Sequence, residues 1–186
     1  MTGETTHHRT THVVVMGVSG SGKTTVARAI AEATGFDFAE ADSFHSPQSI
    51  AKMEAGTALT DEDRWPWLRA LSTWMREQAE VGTSTVITCS ALRRSYRDLL
   101  RDGPPSVDFL HLAGPAEVIR ERMSDREGHF MPASLLQSQI DTLEALEADE
   151  SGIVLDLRHP PERIVAEAVA WLGADDARPA SPTLPH

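Results

Sequence analysis

The chain has a single cysteine, Cys89, so no disulfide can form within it, as expected for a protein of a reducing compartment. It also lacks an excess of positive charge. Seventeen Lys and Arg stand against 28 Asp and Glu, a formal net charge of −11. A surface of that sign repels a polyanionic backbone and argues against nucleic acid as a partner, so any anionic ligand has to meet a local basic cluster. No apolar run reaches the roughly 20 residues needed to cross a bilayer. The opening MTGETTHHRTTH is polar and does not read as a secretory signal. A membrane partner is therefore not expected, and a cytoplasmic location is. No internal repeat is visible.

What is present is a regular alternation of strand-like and helix-like segments. A length of 186 residues with 40% hydrophobic content suits one domain with a full core. HVVVMG (His12 to Gly17) is a β-branched run closed by glycine, the pattern of a buried parallel strand. Val26, Ala29, Ile30 and Ala33 then form a helical stripe that stops at Gly35. FDFAEAD (Phe36 to Asp42), TSTVITCS (Thr83 to Ser90), VDFLHLA (Val107 to Ala113) and GIVLDL (Gly152 to Leu157) supply four more strands. Ser46 and Pro47 predict an N-cap and first helical position. A longer helix is predicted from Asp63, with Pro66 in its first turn and Leu68, Leu71 and Met75 inward. An arginine-rich helix begins near Arg93, and a last one runs from Pro161 to Leu172. Such alternation implies an α/β fold of three layers around a five-stranded, mostly parallel sheet. The domain is expected over residues 12–173, with tails at 1–11 and 174–186 that are polar or proline-rich and expected to be disordered. Residues 116–150, long, charged and helix-prone, are expected to include a helical lid.

Three glycines in six residues give the first chemical signal. Gly17-Val18-Ser19-Gly20-Ser21-Gly22-Lys23-Thr24 fits G-x-x-x-x-G-K-[ST], the phosphate-binding P-loop, and lies between a predicted strand and a predicted helix. Its backbone N–H groups converge on one concavity, and the helix that follows presents its positive end there. Gly17, Ser19, Gly20, Ser21, Gly22, Lys23, Thr24 and Thr25 are thus the expected nucleotide-binding set. Lys23 is expected at the β- and γ-phosphates of ATP and the Thr24 hydroxyl on Mg²⁺. There is no guanine-reading N-K-x-D segment, and the strand VITCS ends in Ser90 where many ATPases place an aspartate. Asp42 instead follows the second strand, at the carboxyl edge where open α/β sheets bind ligands. A carboxylate there can take a proton from an attacking hydroxyl, hold a magnesium-bound water, or do both.

ADSFHSPQSIAKMEAGTALTDEDRWPWL, which follows the second strand, resembles the corresponding segment of gluconokinases, with its D-x-x-H, S-I-x-K-M, G-x-x-L-x-D-x-D-R and P-W-L elements. CSALRRSYRDLLR (Cys89 to Arg101) and REGHFMPASLLQSQIDTLE (Arg126 to Glu144) are similar to the family's third-strand and lid-proximal segments. Ser49 stands where asparagine is common, and LEALEADE lacks a proline often found after LE. The resemblance implies a P-loop kinase fold, ATP with Mg²⁺, phosphoryl transfer to the C6 hydroxyl of D-gluconate, and a homodimer. Such a substrate calls for cations and hydrogen-bonding groups. Arg64, Arg97 and Lys52 are expected at its carboxylate and hydroxyls, with arginine favoured where two oxygens are gripped at once. Asp42, His45, His129 and Gln139 are expected at its hydroxyls. Arg122 and Arg126 fall in the expected lid, where they can neutralise the transferring group or stack on adenine. For Arg97 the competing expectation is a solvated helix face, and for Arg122 a surface charge. Trp65, Trp67 and Trp74 are expected in the core or against the lid. The remaining alternatives are a shikimate-type or nucleoside monophosphate kinase, or a nucleotide-binding regulatory protein that is not a kinase.

Overall fold

A computed structural model describes residues 9–124 and 133–174. In chain order the elements are β1 (His12–Met16), α1 (Lys23–Thr34), β2 (Asp37–Glu40), a 3-10 turn (Ala41–Phe44), α2 (Pro47–Glu54), α3 (Asp61–Glu80), β3 (Thr85–Thr88), α4 (Arg94–Arg101), β4 (Val107–Ala113), α5 (Ala116–Ser124), α6 (Ala133–Thr142), β5 (Gly152–Asp156) and α7 (Pro161–Ala174). The five strands form one parallel sheet in the order β2-β3-β1-β4-β5.

Alternation along β1 shows why the sheet is covered on both faces. Val14 and Met16 join Leu68, Leu71 and Met75 of α3 and Tyr96 and Leu100 of α4 in one core. Val13 and Val15 join Val26, Ala27 and Ile30 of α1 and Ile164 and Ala168 of α7 in the other. The period of two sends successive side chains to opposite layers. Each large side chain so buried contributes about 1.5–3 kcal/mol.

The strand and helix order matches the sequence reading, with local differences. The buried stripe of α1 is Val26, Ala27, Ile30 and Ala31, whereas Ala33 is exposed. β2 ends at Glu40, because the chain tightens into the 3-10 turn that carries Asp42. α2 begins as predicted, with Ser46 accepting from the Ser49 N–H at 3.1 Å and Pro47 first in the helix. α3 begins at Asp61, two residues before the predicted start, because Thr60 and Asp63 make a reciprocal capping box. Order also begins before His12: Thr10 is buried, and the Thr11 N–H donates to Ser84 Oγ at 3.0 Å. Ala174 closes α7 rather than opening a tail. The rest of the expected tails, 1–8 and 175–186, and residues 125–132 of the expected lid lie outside the described residues.

Candidate active site

The P-loop leaves β1 at Met16 and enters α1 at Lys23. Gly17 has φ +142°, and a Cβ there would lie 2.8 Å from the Leu112 carbonyl oxygen, so only glycine fits between the two strands. Gly20, at φ +81°, lies under Met123 of α5, which a Cβ would strike at 2.5 Å. Within the loop, the Ser21 N–H donates to the Val18 carbonyl at 3.2 Å and Lys23 Nζ donates to the same oxygen at 3.0 Å. α1 starts directly from the loop at Lys23, so the positive end of its dipole lies at the loop. From α6, Gln139 grips the loop at two points: its Oε1 accepts from the Ser19 N–H at 2.8 Å, and its Nε2 donates to Ser19 Oγ at 3.2 Å.

A cavity of about 620 Å³ opens beside this loop. Its lining includes Ser19, Gly20, Gly22, Lys23 and Thr24 of the loop and helix start, and Asp42, His45, Arg64 and Trp67 of the 3-10 turn, the residue after it and α3. The part of the lining outside the loop is assembled from separate elements. Trp67 Nε1 donates to the Ala41 carbonyl at 2.7 Å, pinning the 3-10 turn onto α3. The His45 ring stacks on Trp67 with centroids 4.2 Å apart and planes at 16°. His45 Nε2 is 3.8 Å from Asp42 Oδ1, and burial lowers the histidine pKa, with the Asp42 charge opposing and the Arg64 charge reinforcing the shift. The imidazole is therefore neutral at pH 7, suited to exchanging hydrogen bonds with a hydroxyl. The Asp42 carboxylate itself is 89% exposed, reachable by a ligand. Arg64 Nη1 donates to Tyr96 Oη at 3.1 Å, and the Tyr96 hydroxyl donates to Asp61 in a short bond. That relay fixes the guanidinium against the cavity.

The cavity thus brings together Ser19, Gly20, Gly22, Lys23, Thr24, Asp42, His45, Arg64 and Gln139 of the expected site. Gly17, Ser21 and Thr25 shape the loop without lining the cavity. Lys52 also stays outside it: its ammonium lies 2.8 Å from both carboxylate oxygens of Asp63, reinforcing the start of α3. The expectation for Arg97 is corrected. Its side chain is fully buried, with Nε and Nη2 bidentate on Glu150 and the remaining donors on the Ala91, Glu144 and Ala145 carbonyls, so it has no N–H left for a carboxylate ligand. Arg122 is half-buried and donates to the Leu157 carbonyl just beyond β5. Arg126 and His129 lie outside the described residues.

Sequence reasoning missed two contributors, Glu40 and Cys89. Glu40 lines the cavity beside Asp42 and accepts from the Thr88 hydroxyl at the ends of two adjacent strands. The E-x-D pattern at the close of β2 was the available signal. Cys89 also lines the cavity, but burial pushes its thiol up to about 12, so it is an inert wall residue. For magnesium, the Thr24 hydroxyl and the Glu40 and Asp42 carboxylates share the cavity. No cluster of three His, Cys, Asp or Glu that could cage a metal occurs among the described residues. Hard oxygen donors in small number fit an ion that keeps several waters and binds chiefly through phosphates.

A family model described as an AAA domain matches residues 13–146. The gluconokinase of Gluconobacter oxydans is 45% identical over 164 residues, covering 88% of this chain and 92% of the relative. Among solved structures, an unliganded sugar kinase from Janibacter sp. HTCC2649 is 71% identical, with a TM-score of 0.86 over 88% of this chain and 95% of that one. A gluconokinase from Sinorhizobium meliloti 1021 is 47% identical, with a TM-score of 0.81 over 89% and 94%. Identity at that level extends over most of both chains, and the chain belongs to the gluconokinase family of P-loop kinases.

Proposed function

We infer that the protein transfers the γ-phosphoryl group of ATP to the C6 hydroxyl of D-gluconate, giving 6-phospho-D-gluconate and ADP. The observation that carries this reading is a single cavity lined both by the phosphate-binding loop and by Asp42, His45 and Arg64. Lys23 and the P-loop N–H groups neutralise charge on the phosphates, and the helix dipole of α1 adds to that field. Asp42 accepts the C6 hydroxyl proton as the oxygen attacks phosphorus and the bond to the ADP oxygen breaks. Arg64 and neutral His45 orient the sugar acid, Arg64 at the carboxylate and His45 at a hydroxyl. Gln139 holds Ser19 while its α6 neighbours close the cavity. Thr24 and Asp42 would hold Mg²⁺, which when bound supplies further charge neutralisation at the phosphates. Arg122 and Arg126 belong to the arm over the nucleotide in this reading, and His129 to the substrate side.

The test is a coupled ADP-release assay against sugar acids, shikimate and nucleoside monophosphates. Gluconate alone should stimulate turnover strongly, EDTA should abolish it, and Mg²⁺ should restore it. Stimulation by shikimate or a nucleoside monophosphate in place of gluconate would overturn the reading. The family resemblance further supports a homodimer in the cytoplasm. The net charge of −11 argues against a nucleic-acid partner, and no helix among the described residues is long and apolar enough to cross a membrane. Sedimentation at the mass of two chains checks the dimer.

A further inference from the structure

We propose that Arg97 is a positioning residue for the sugar-acid side of the cavity, acting by fixing a left-handed turn at Ala91 that delivers Ser90 and Leu92 to the cavity wall. The proposal rests on the reading of this cavity as the gluconate site.

Ala91 is the one non-glycine residue with positive φ among the described residues, at +45°, and it is 1% exposed. An alanine adopts that region only at a cost in energy, and it stays there only where its surroundings over-determine it. The surroundings here are three consecutive carbonyls, each held by a different part of the chain. Ser90 O accepts from the Gly17 N–H at 3.4 Å, Ala91 O from Arg97 Nη1 at 3.0 Å, and Leu92 O from the Glu144 N–H at 2.7 Å. Residues Ser90 and Leu92, on either side of Ala91, line the cavity.

Arg97 controls two of these three tethers. Besides Ala91 it donates to the Glu144 carbonyl at 3.1 Å and the Ala145 carbonyl at 3.1 Å, so it also sets the strand of chain whose N–H holds Leu92. Glu150 keeps the guanidinium in place with contacts of 2.6 and 2.9 Å, and both side chains are fully buried. Stability alone is a weak reason to keep such a pair, since apolar residues of similar volume often stabilise a core as well or better. Directing a backbone carbonyl requires a donor with fixed geometry, which an apolar residue lacks and a planar guanidinium supplies.

The test compares Arg97→Lys, Ala91→Gly and the double variant by steady-state kinetics and thermal melting. Lysine keeps the charge and loses the fork. R97K should raise the gluconate KM tenfold or more and leave the ATP KM within twofold. A91G alone should be near wild type, because glycine takes the left-handed turn without strain. In the double variant the gluconate KM should return to within about threefold of wild type, while the Tm stays depressed, since the buried pair is not repaired. Should R97K not fold, Glu150→Gln replaces it: a neutral partner loosens the guanidinium, and the gluconate KM should rise about threefold and fall again on adding A91G. Unchanged gluconate KM in both R97K and E150Q, or failure of A91G to restore it, overturns the proposal whatever the Tm does. A wild type without gluconate-dependent ADP release removes the functional reading and this inference with it; wild-type release with unchanged KM in the variants removes only the inference.

Discussion

The two sides of the cavity are encoded differently. The phosphate side is a consecutive stretch, Gly17 to Thr24, whose internal bonds span at most five residues, as from Lys23 to Val18, with Gln139 of α6 gripping Ser19 from 120 residues away. The acceptor side is gathered from the end of β2, the 3-10 turn, α3 and the β3–α4 junction. Its supporting bonds span 26 residues for Trp67 to Ala41, 32 for Arg64 to Tyr96 and 48 for Thr88 to Glu40. A contiguous loop adopts its shape almost wherever a strand and helix flank it, whereas a dispersed site exists only once the tertiary structure has formed. Changes to the first side should therefore act on the chemical step. Changes to the second should act on which acceptor is held and how well.

The largest expected effect is on the phosphate side. Lys23→Ala should lower kcat by roughly 10²–10³, the loss typical of one transition-state charge stabiliser, with the circular dichroism of the folded protein retained. A folded K23A enzyme with near-normal turnover breaks the division at once. On the acceptor side, Arg64→Ala should cost on the order of ten- to a hundredfold in kcat/KM for gluconate, mainly through KM, because a charge-assisted contact remote from C6 exists in ground and transition states alike. The ATP KM should barely move, and the preference for gluconate over glucose, which lacks the carboxylate, should narrow. One step further out, Tyr96→Phe removes the hydroxyl that fixes Arg64. The bonds lost are charge-assisted, about 1.5–3 kcal/mol each, but only part of that reaches the ligand because Arg64 itself remains, so the gluconate KM should rise roughly two- to tenfold. An effect on ATP instead would place Arg64 on the nucleotide.

The smallest effect on activity, but a clear one on stability, concerns two buried histidines outside both sides. Burial lowers His12 and His111 from 6.5 to about 4, with the nearby Arg97 charge adding to the shift at His111. The unfolded chain takes up protons as pH falls through 6.5, while the folded rings stay neutral until about 4. Stability is therefore complete above pH 6.5 and declines between 6.5 and 4. Melting curves should show Tm falling by several degrees from pH 7 to 4.5. His111→Asn should flatten that dependence; an unchanged slope in the variants of both histidines would assign it elsewhere.

The same division explains what the sequence made legible. The succession of strands and helices along the chain, the P-loop, the Ser46 cap and the inward face of α3 depend on periodicity and near neighbours, and each could be read directly. Lys52 and Arg97 could not be placed, because what decides a cation's role is its partner: Asp63 lies eleven residues from Lys52 and Glu150 lies 53 from Arg97. An arginine on a short helix reads as solvated or as ligand-binding, and only the fold shows a carboxylate waiting in the core. Glu40 was passed over for a related reason: the E-x-D pattern marks it, but its place shows only once Thr88 of the neighbouring strand bonds it and it lines the same cavity as Asp42.

Asp42 stands on an exposed turn in the cavity lining, and in the proposed reaction it is the group that takes the acceptor's proton. Asp42→Asn keeps the size of the side chain but cannot take the C6 proton. The decisive measurement is its kcat at saturating ATP and gluconate, with calorimetry on the same sample to show that ATP still binds. The account expects kcat to fall by roughly 10²–10⁴, the range for a lost general base, while ATP affinity stays within about threefold. A D42N enzyme that binds ATP and turns over gluconate at the wild-type rate would contradict it.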